Sequence, residues 1–257
     1  MNYNYHTHTA RCGHARDTEE EYILRAIECG IERMGFADHI PFRFPDGHDS
    51  TYRVPVEQAE DYFSVLRALR EKYAHRIDLK IGFEMEYYPL YFQTMLDNAR
   101  SWGCEYLILG QHYIGNEHPG GFYTGKASES TEQLKEYVDC VVAGMESGVF
   151  SYVAHPDLFR FTGDAGVYAE EMRRICVCSR ERGIPLEINF LGIRDNRPYP
   201  REDFWTIAGQ EHSPVTFGFD AHDTLAAYDG DSLPRARELV DTFGLNYIGE
   251  PTLIPLK

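Results

Sequence analysis

The sequence predicts an α/β protein built as a closed or nearly closed (β/α) barrel. Short runs typical of buried strands alternate with longer amphipathic runs typical of helices along the whole chain. Such alternation favours parallel strands joined by right-handed crossovers. The length of 257 residues, with no low-complexity linker, favours one domain over residues 1–257 rather than two. A doubly wound open sheet would give the same alternation and remains the alternative.

Seven strands are predicted before the C-terminal tail, each a short run that ends at polar residues. The first runs to about residue 8, and the others cover about residues 33–39, 79–84, 105–112, 150–155, 185–189 and 215–220. A short further strand is predicted at 246–248. In a barrel of parallel strands, the C-terminal strand ends all lie at one rim, where active sites are found.

Helices are predicted between these strands. Thr18 and Glu21 form a capping box at the start of the first helix, which ends at Gly30. The later helices cover about residues 56–73, 91–102, 131–147, 170–182, 201–209 and 233–243. Their lengths are typical of the helices of globular proteins.

Charge and composition narrow the classes of partner. The 41 acidic residues exceed the 25 basic ones, and the net charge of −16 argues against nucleic acid, since duplex binding depends on clustered Lys and Arg. Apolar runs fall short of the roughly 20 residues of a membrane span, and no signal-peptide pattern is seen. The six cysteines show no disulfide framework. We expect a cytoplasmic protein without nucleic-acid or membrane partners, and leave its oligomeric state open.

Polar residues gather at the predicted strand ends. His6 and His8, at i and i+2 of the first strand, point to one face, and His14 follows on a Gly-containing loop. Later strands end at His39, Glu84, His112, His155, Glu187 with Asn189, and Asp220, with His222 two residues on. A lone histidine at a strand end is more often structural than a ligand, but structural histidines would scatter over both barrel ends. Because burying so many polar groups together without a cation is costly, we predict a metal site.

Nine side chains are candidate metal ligands. They are His6, His8, His14, His39, Glu84, His112, His155, Asp220 and His222. A zinc ion in a structural site takes four ligands, so nine fit two ions, or three if Glu84 bridges. Imidazole-rich sites without thiolates suit Zn, Fe or Mn, and clustered divalent ions indicate hydrolysis. The remaining histidines, His48, His75, His118 and His212, are expected at the surface.

Six motifs, in this order along the chain, resemble those of the polymerase and histidinol phosphatase (PHP) family. They are His6-Thr7-His8, Ala37-Asp38-His39, Gly82-Phe83-Glu84, Gly110-Gln111-His112, Ala154-His155-Pro156 and Phe219-Asp220-Ala221-His222. A bare His-x-His is a weak signal, whereas the ordered set is specific. The resemblance covers most of the chain.

The resemblance implies a distorted (β/α)7, TIM-like barrel, the PHP fold, with three divalent metal ions, Zn, Fe or Mn. By analogy, the first ion takes His6, His8, Glu84 and Asp220. The second takes Glu84, His112 and His155, and the third takes His14, His39 and His222. No position of this sequence departs from that pattern.

Within the family, the length and the loops are most similar to the histidinol-phosphatase branch. The matching loops follow His39, with Phe42 and Phe44, and cover residues 157–160 and 194–197. This branch implies hydrolysis of a small-molecule phosphate ester, L-histidinol phosphate, to L-histidinol and phosphate in histidine biosynthesis, through hydroxide activated by the metals. Arg160 and Arg197 are the expected catalytic residues, because a guanidinium fork matches phosphate oxygens.

Other functions remain open. The first is a PHP nuclease or a phosphoesterase with another substrate. The second is an amidohydrolase, whose barrel also begins with His-x-His, although the strand-end lysine that often bridges its metals is not seen. A metal-binding module without catalysis would show departures at the ligand positions, and none occur. The group that receives the ammonium and imidazole of histidinol is left open among Asp17, Phe42, Glu117 and Phe161.

Overall fold

The strands lie at the sequence positions where apolar runs end in polar residues. The computed structural model describes residues 1–48, 50–117 and 120–257. The strands are β1 (Tyr3–Asn4), β2 (Arg33–His39), β3 (Asp78–Met85), β4 (Leu107–Leu109), β5 (Tyr113–Ile114), β6 (Phe122–Tyr123), β7 (Phe150–Val153), β8 (Leu186–Asn189), β9 (Pro214–Gly218) and β10 (Asn246–Tyr247).

Eight of these strands form one curled sheet in the order β1-β2-β3-β4-β7-β8-β9-β10. All of its pairings are parallel, and the longest aligns β2 with β3 from Arg33 opposite Asp78 to His39 opposite Glu84. Strands β5 and β6 make a separate antiparallel hairpin. A parallel sheet needs helical crossovers, and the helices lie between its strands in the sequence.

The curl closes at its C-terminal rim. Thr7 and Ala221 form a parallel bridge, in which the His8 amide donates to the Ala221 carbonyl at 2.9 Å. The Phe219 amide also donates to Asn4 Oδ1, 215 residues away along the chain. At the opposite end, β10 pairs with β9, and the Tyr247 hydroxyl lies 3.2 Å from that of Tyr3. The barrel is therefore distorted, because an extra strand lies beside the joint at one end only.

Among the described residues, eight α-helices connect the strands. They are α1 (Glu19–Glu28), α2 (Ala59–Tyr73), α3 (Phe92–Trp102), α4 (Thr131–Glu146), α5 (Ala165–Arg182), α6 (Phe190–Arg194), α7 (Glu202–Gln210) and α8 (Leu233–Phe243). Short 3₁₀ helices cover Ala10–Cys12, Val56–Gln58 and Leu225–Ala227. The predicted capping box is present, since Thr18 and Glu21 bond each other's backbone reciprocally.

The apolar core has two parts. The larger lies between the sheet and the helices. The smaller one contains Tyr5, Tyr106 and Tyr152. The fully buried Tyr106 hydroxyl donates to the carbonyls of Tyr5 and Phe36, at 2.8 and 3.2 Å. Tyrosines of the barrel strands are thus packed together, and one hydroxyl ties three strand segments to one another.

The predicted α/β barrel of parallel strands is confirmed. Each predicted strand has a counterpart, including the short one in the tail, although β1 and β4 are shorter than expected. Helix α5 begins earlier than predicted, because Asp164 caps its N-terminus. The hairpin β5–β6 and the five-residue α6 were not predicted, since runs this short carry no usable periodicity.

The cysteines and the histidines outside the rim can also be compared with the expectations from the sequence. All six cysteines are free. His75 and His212 are exposed and His48 is half-buried, while His118 lies outside the described residues. Over the described parts of the chain, none of the helices combines the length and apolar character that crossing a membrane requires.

Candidate metal centre

A cavity of about 690 Å³ opens at the C-terminal rim of the barrel. Seven of the nine predicted ligands line it: His14, His39, Glu84, His112, His155, Asp220 and His222. His6 and His8 lie beneath them, fully buried, because β1 continues past Asn4 into the barrel joint. The structure therefore brings together all nine candidates, although they come from segments far apart in sequence.

The Glu84 carboxylate lies among five imidazoles. The nearest nitrogen atoms belong to His155 (2.8 Å), His39 (3.1 Å), His112 (3.5 Å), His6 (3.6 Å) and His8 (3.6 Å). Oε2 faces three of these rings and Oε1 faces the other two. A carboxylate with each oxygen directed at a different group of imidazoles has the geometry of a bridging ligand.

Two glycines make room for buried carboxylates. A Cβ atom at Gly110 would lie 1.9 Å from Glu84 Oε1, and one at Gly218 would lie 1.7 Å from Glu187 Oε1. Both distances are far below any van der Waals contact. The glycine in the motif Gly110-Gln111-His112 is therefore required by the position of Glu84.

Asp220 lies beside the first two histidines. Its Oδ1 atom is 3.2 Å from His8 Nε2 and 3.5 Å from His6 Nε2. Its Oδ2 atom accepts a hydrogen bond from Asn189 Nδ2 at 3.0 Å. Asp220 has φ 48° and His155 has φ 31°, in a region that side chains other than glycine rarely adopt. Such backbone strain is typical of functional sites.

A third group of imidazoles lies nearer the cavity mouth. His14, His39 and His222 each offer a nitrogen within 4.8 Å of the others. The Nε2 atoms of His14 and His222 are 3.0 Å apart. The Nδ1 atoms of these two residues face backbone carbonyls instead, those of Cys12 and Asp220, each at 3.1 Å. Both rings thus direct Nε2 toward the same point.

Several polar atoms of the site are buried and make no hydrogen bond of acceptable geometry, although some of them lie 3.1–3.6 Å from one another. They are His6 Nε2, His8 Nε2, His39 Nδ1, Glu84 Oε2, His155 Nδ1 and Asp220 Oδ1. Buried polar atoms are nearly always paired in proteins, so each exception needs an explanation. Imidazole and carboxylate atoms of this kind are the usual ligands of Zn, Fe and Mn. The residues present therefore fit a group of divalent cations.

A second layer of carboxylates orients the histidines. Glu187 Oε1 lies 2.8 Å from His6 Nδ1, Asp38 Oδ1 lies 3.4 Å from His8 Nδ1, and Glu86 Oε1 lies 2.9 Å from His112 Nδ1. With Nδ1–H directed at a carboxylate, each ring turns Nε2 inward. This carboxylate–histidine arrangement is typical of metal sites.

The charges of the site shift the pKa values of its groups. Burial and the nearby His8 lower the pKa of His39 to about 3, and they also lower the pKa values of His14 and His222. These three rings are neutral, which is the form that binds metals. Although burial opposes ionisation, the surrounding imidazoles hold the pKa values of Glu84 and Asp220 well below the usual range.

Buried carboxylates act in the opposite direction on the innermost histidines. Burial alone would lower the pKa of His6, but Glu187, Asp220 and Glu84 raise it well above the usual value. The pKa of His8 rises to about 9, against its burial, because of Asp220 and Asp38. A positive charge is therefore strongly favoured at the position where these two rings meet the acids.

The two predicted arginines differ in their placement. Arg197 lines the cavity, where Nη2 donates to Asp195 Oδ2 at 3.0 Å and Nη1 lies 3.4 Å from the Tyr199 hydroxyl. Arg160 is exposed and is not among the residues that line the cavity. Arg16 and Arg194, which were not among the expected catalytic residues, do line it.

The residues considered for recognition of the histidinol group do not line the cavity. Asp17 accepts hydrogen bonds from Thr224, and Glu117 accepts one from Arg53. Phe42 and Phe161 belong to the apolar core. The expectation that one of these four residues receives the ammonium or imidazole is therefore not supported by their positions.

One wall of the cavity is aromatic and was not predicted from the sequence. Tyr52, Tyr113, Tyr123 and Tyr199 line it, and the rings of Tyr52 and Tyr113 stack with centroids 5.8 Å apart. Tyr113 and Tyr123 are brought there by the hairpin β5–β6, which the sequence did not predict. Their positions could not be found without that hairpin.

Glu86 was not predicted either, although the sequence contains a signal for it. Glu84 and Glu86 stand at i and i+2 at the end of β3, as His6 and His8 do after β1. The same alternation that places two histidines on one face therefore applies to the two acids. Glu86 lies behind His112 rather than in the cavity lining.

The chain is similar in sequence to proteins named as histidinol-phosphatases. A "Probable histidinol-phosphatase" from Deinococcus radiodurans is 28% identical over 225 residues, 84% of this chain and 85% of that protein. A "Histidinol-phosphatase" from Lactococcus lactis subsp. lactis is 25% identical over 262 residues, 95% of this chain and 91% of that protein.

Solved structures share the fold. The histidinol phosphate phosphatase of Lactococcus lactis subsp. lactis, crystallised with Zn, L-histidinol and phosphate, superimposes with a TM-score of 0.72 at 21% identity. The match covers 96% of this chain and 95% of that one. The sequence model of the PHP domain matches residues 4–190, which is well over half of the chain. The curled parallel barrel, the ordered histidine and carboxylate motifs and this match agree, and the chain belongs to the PHP domain family.

Proposed function

We propose that the chain is a metal-dependent histidinol-phosphatase that hydrolyses L-histidinol phosphate to L-histidinol and phosphate in histidine biosynthesis. The observation that carries the proposal is the convergence of nine imidazole and carboxylate side chains at one cavity, several with buried atoms that lack partners. The two similar proteins of that name, each matched over more than four fifths of its length, support the choice of substrate.

The ligands divide among three ions in this proposal. His6, His8, Glu84 and Asp220 would hold the first, and Glu84 with His112 and His155 the second. His14, His39 and His222 would hold the third. The third group is itself a cluster of ligand atoms within 4.8 Å of one another, and His6, His8 and Glu84 of the first group form another. In the second group, Glu84 and His112 cluster with His39, whereas His155 clusters with His6 and Asp220. Zinc is supported by the Lactococcus structure, while iron and manganese remain predictions.

The charge of the site supports bound cations. Asp38, Glu84, Glu86, Glu187 and Asp220 are each at most 3% exposed. In the described part of the chain, Arg53 is the one buried arginine near them, and it does not balance five carboxylates. Burying unpaired charge costs several kcal/mol per group, roughly, so protons or cations must compensate it. Divalent ions would do so without requiring low pH.

The chain's own groups bind and orient the substrate. When bound, the divalent ions would supply an activated water and neutralise charge on the phosphoryl oxygens. Arg197 lines the cavity beside the ligands and would bind phosphate oxygens through its fork, with Tyr199 and Asp195 fixing its orientation. Arg160 stays a second, more exposed candidate for this role.

The aromatic wall suits the other half of the substrate. The imidazole of L-histidinol phosphate is flat, and stacking on tyrosine faces is favourable for such rings. Tyr113 and Tyr123 are half-buried, so their faces reach the cavity. Asp223 also lines the cavity and would attract the ammonium, although it is paired with Arg16 at 2.9 Å.

Two rival functions predict different chemistry. A PHP nuclease would need basic surface for a polynucleotide, and the net charge of −16 disfavours it. An amidohydrolase would commonly use a bridging lysine, and the cavity lining within the described residues holds arginines instead. We further propose that residues 1–257 act as one domain in the cytoplasm.

The direct test compares substrates on one metal-loaded preparation. Phosphate release is measured from L-histidinol phosphate and from glycerol phosphate, and cleavage is measured on a single-stranded oligonucleotide. We expect the highest kcat/KM with L-histidinol phosphate. A higher value for the oligonucleotide, or for glycerol phosphate, would reject the proposed substrate. Elemental analysis of the same preparation gives the identity and number of the metals.

A further inference from the structure

Arg53 is a buried arginine that the proposed chemistry does not use. Its side chain is 1% exposed and lies between two carboxylates that are equally buried, Glu86 and Glu117. Nη2 donates to Glu86 Oε2 at 2.6 Å, and Nε donates to Glu117 Oε2 at 2.8 Å. Because desolvation of buried ion pairs offsets much of their attraction, stability alone is a weak reason for such a cluster.

Glu86 connects this cluster to the candidate metal centre. Its Oε1 atom accepts from the Tyr52 hydroxyl at 2.8 Å and lies 2.9 Å from His112 Nδ1. With Nδ1–H donated to Glu86, the opposite atom of the ring, Nε2, is the free acceptor. That atom lies 3.5 Å from Glu84 Oε1. The orientation of His112 toward Glu84 therefore depends on where Glu86 is held.

Arg53 is itself held in place by contacts with three other segments of the rim. Its Nη1 atom donates to the Ile40 carbonyl at 3.2 Å, just after β2. Its Nη2 atom also donates to the Tyr52 hydroxyl at 2.9 Å. Glu117 lies in the segment after β5, so one guanidinium joins the ends of β2 and β3 to the hairpin. A lysine has no planar fork and could not make all of these contacts.

We propose that Arg53 and Glu86 form a positioning pair that fixes His112 in the orientation needed to bind a divalent cation together with Glu84. Glu86 sets the ring of His112 through Nδ1, and Arg53 fixes Glu86 in turn. Neither residue touches the substrate. The inference rests on the proposed metal site and does not depend on which phosphate ester is hydrolysed.

The test measures metal binding rather than catalysis. The full chain is stripped of metal and titrated with zinc in competition with a chromophoric chelator. Loss of a partner that orients a metal ligand typically weakens binding by about 10- to 100-fold. We expect Glu86→Gln and Arg53→Met to weaken one zinc ion by about that factor and to leave the others unchanged. Arg53→Lys, which keeps the charge but not the fork, is expected to recover part of the loss.

Arg70→Met is the matched control. Arg70 Nη1 pairs with Glu105 Oε1 at 2.5 Å, before the start of β4 and therefore at the opposite end of the barrel. Removing this pair perturbs an ion pair of the fold without approaching His112. Unchanged zinc affinity in Arg70→Met, with a loss in the two test variants, supports the positioning pair.

Two outcomes would overturn the inference. One is full zinc affinity in Glu86→Gln, and the other is an equal loss in Arg70→Met, which would indicate general destabilisation. If Arg53→Met does not fold, Glu86→Gln decides alone, because the amide has nearly the size of the carboxylate. Since no substrate is present, a protein that binds zinc normally but fails on L-histidinol phosphate contradicts only the proposed function.

Discussion

Gly110 and Glu84 occupy adjacent positions that exclude any side chain at residue 110. A Cβ atom there would lie 1.9 Å from Glu84 Oε1. Because Glu84 lies in the fully paired part of β3, its backbone has little freedom to withdraw. The carboxylate would have to turn away from the imidazoles of His112 and His155.

Gly110→Ala is therefore expected to lower metal affinity and phosphatase activity, by at least about the 10- to 100-fold that follows loss of an orienting partner. Titration of the metal-free variant with zinc measures the affinity, and kcat/KM for L-histidinol phosphate measures the activity. Gly183→Ala is the control, because it strains a left-handed residue with φ 66° that follows α5, at the opposite end of the barrel. That control is expected to lose stability, by about 1 kcal/mol, while keeping zinc affinity. Normal zinc affinity in Gly110→Ala would contradict the packing argument.

Metal removal is expected to lower thermal stability as well as activity. A ligand at about 100 times its Kd stabilises the folded state by about 2.7 kcal/mol. For a chain of this size, that corresponds to roughly 5–10 °C in Tm. Thermal unfolding with zinc and with a chelator measures the difference. Asp220→Ala, which lacks a proposed ligand, should show a smaller difference, and an equal one would argue against its assignment.

Arg197→Ala is expected to reduce kcat/KM for the phosphate ester by roughly 10- to 100-fold. The estimate follows from the approximately 1.5–3 kcal/mol of a hydrogen bond to a charged group. Arg160→Ala is expected to reduce it less, because that side chain is exposed and does not line the cavity. Steady-state kinetics of the two variants measures the contrast. A larger loss in Arg160→Ala would reverse the ranking of the two arginines.

Tyr123→Leu is expected to raise KM for L-histidinol phosphate by about 2- to 10-fold, since an aromatic pair contributes roughly 0.5–1.5 kcal/mol beyond area burial. KM for glycerol phosphate, which has no ring, is expected to stay the same. Tyr247→Leu, at the far end of the barrel, serves as control. If KM rose equally for both substrates, the aromatic wall would have no part in selecting the ring.

Tyr106→Phe is expected to destabilise the barrel by about 1–3 kcal/mol without changing metal affinity. Its hydroxyl donates to the carbonyls of Tyr5 and Phe36, and both would be left buried with one donor fewer. Urea unfolding measures the loss. Zinc titration of the folded variant should match that of the unmodified protein, and a weakened site would mean that this hydroxyl also shapes the rim.

The sequence predicted those parts of the site that depend on strand ends. A parallel barrel puts every C-terminal strand end at one rim, so the positions of Glu84, His155 and Asp220 followed from strand order alone. Residues that reach the site from irregular segments could not be located in this way. Arg53 comes from the long connection after β2, and its partners are visible only once that segment is folded back over the rim.

The difference in exposure between Arg160 and Arg197 also could not be predicted from the sequence. Arg160 follows the predicted strand that ends at His155, and Arg197 follows the predicted strand that ends at Asn189. Their positions in the sequence therefore do not show which of them reaches the cavity. Arg197 follows the short helix α6, which turns the segment back toward the cavity, whereas the Arg160 backbone pairs with Thr124 and Ser128 and its side chain points outward. The five-residue helix α6 therefore accounts for the different placement of the two arginines.

The joint between Thr7 and Ala221 has a consequence for how the protein is made. His8 and Asp220 flank that joint, so two of the ligands proposed for the first ion, His6 and His8, lie on one side of it and a third, Asp220, lies on the other side, far later in the sequence. A growing polypeptide on the ribosome cannot assemble this centre until almost the whole barrel has been synthesised. Contacts so distant in sequence form slowly, so the barrel is expected to close late in folding.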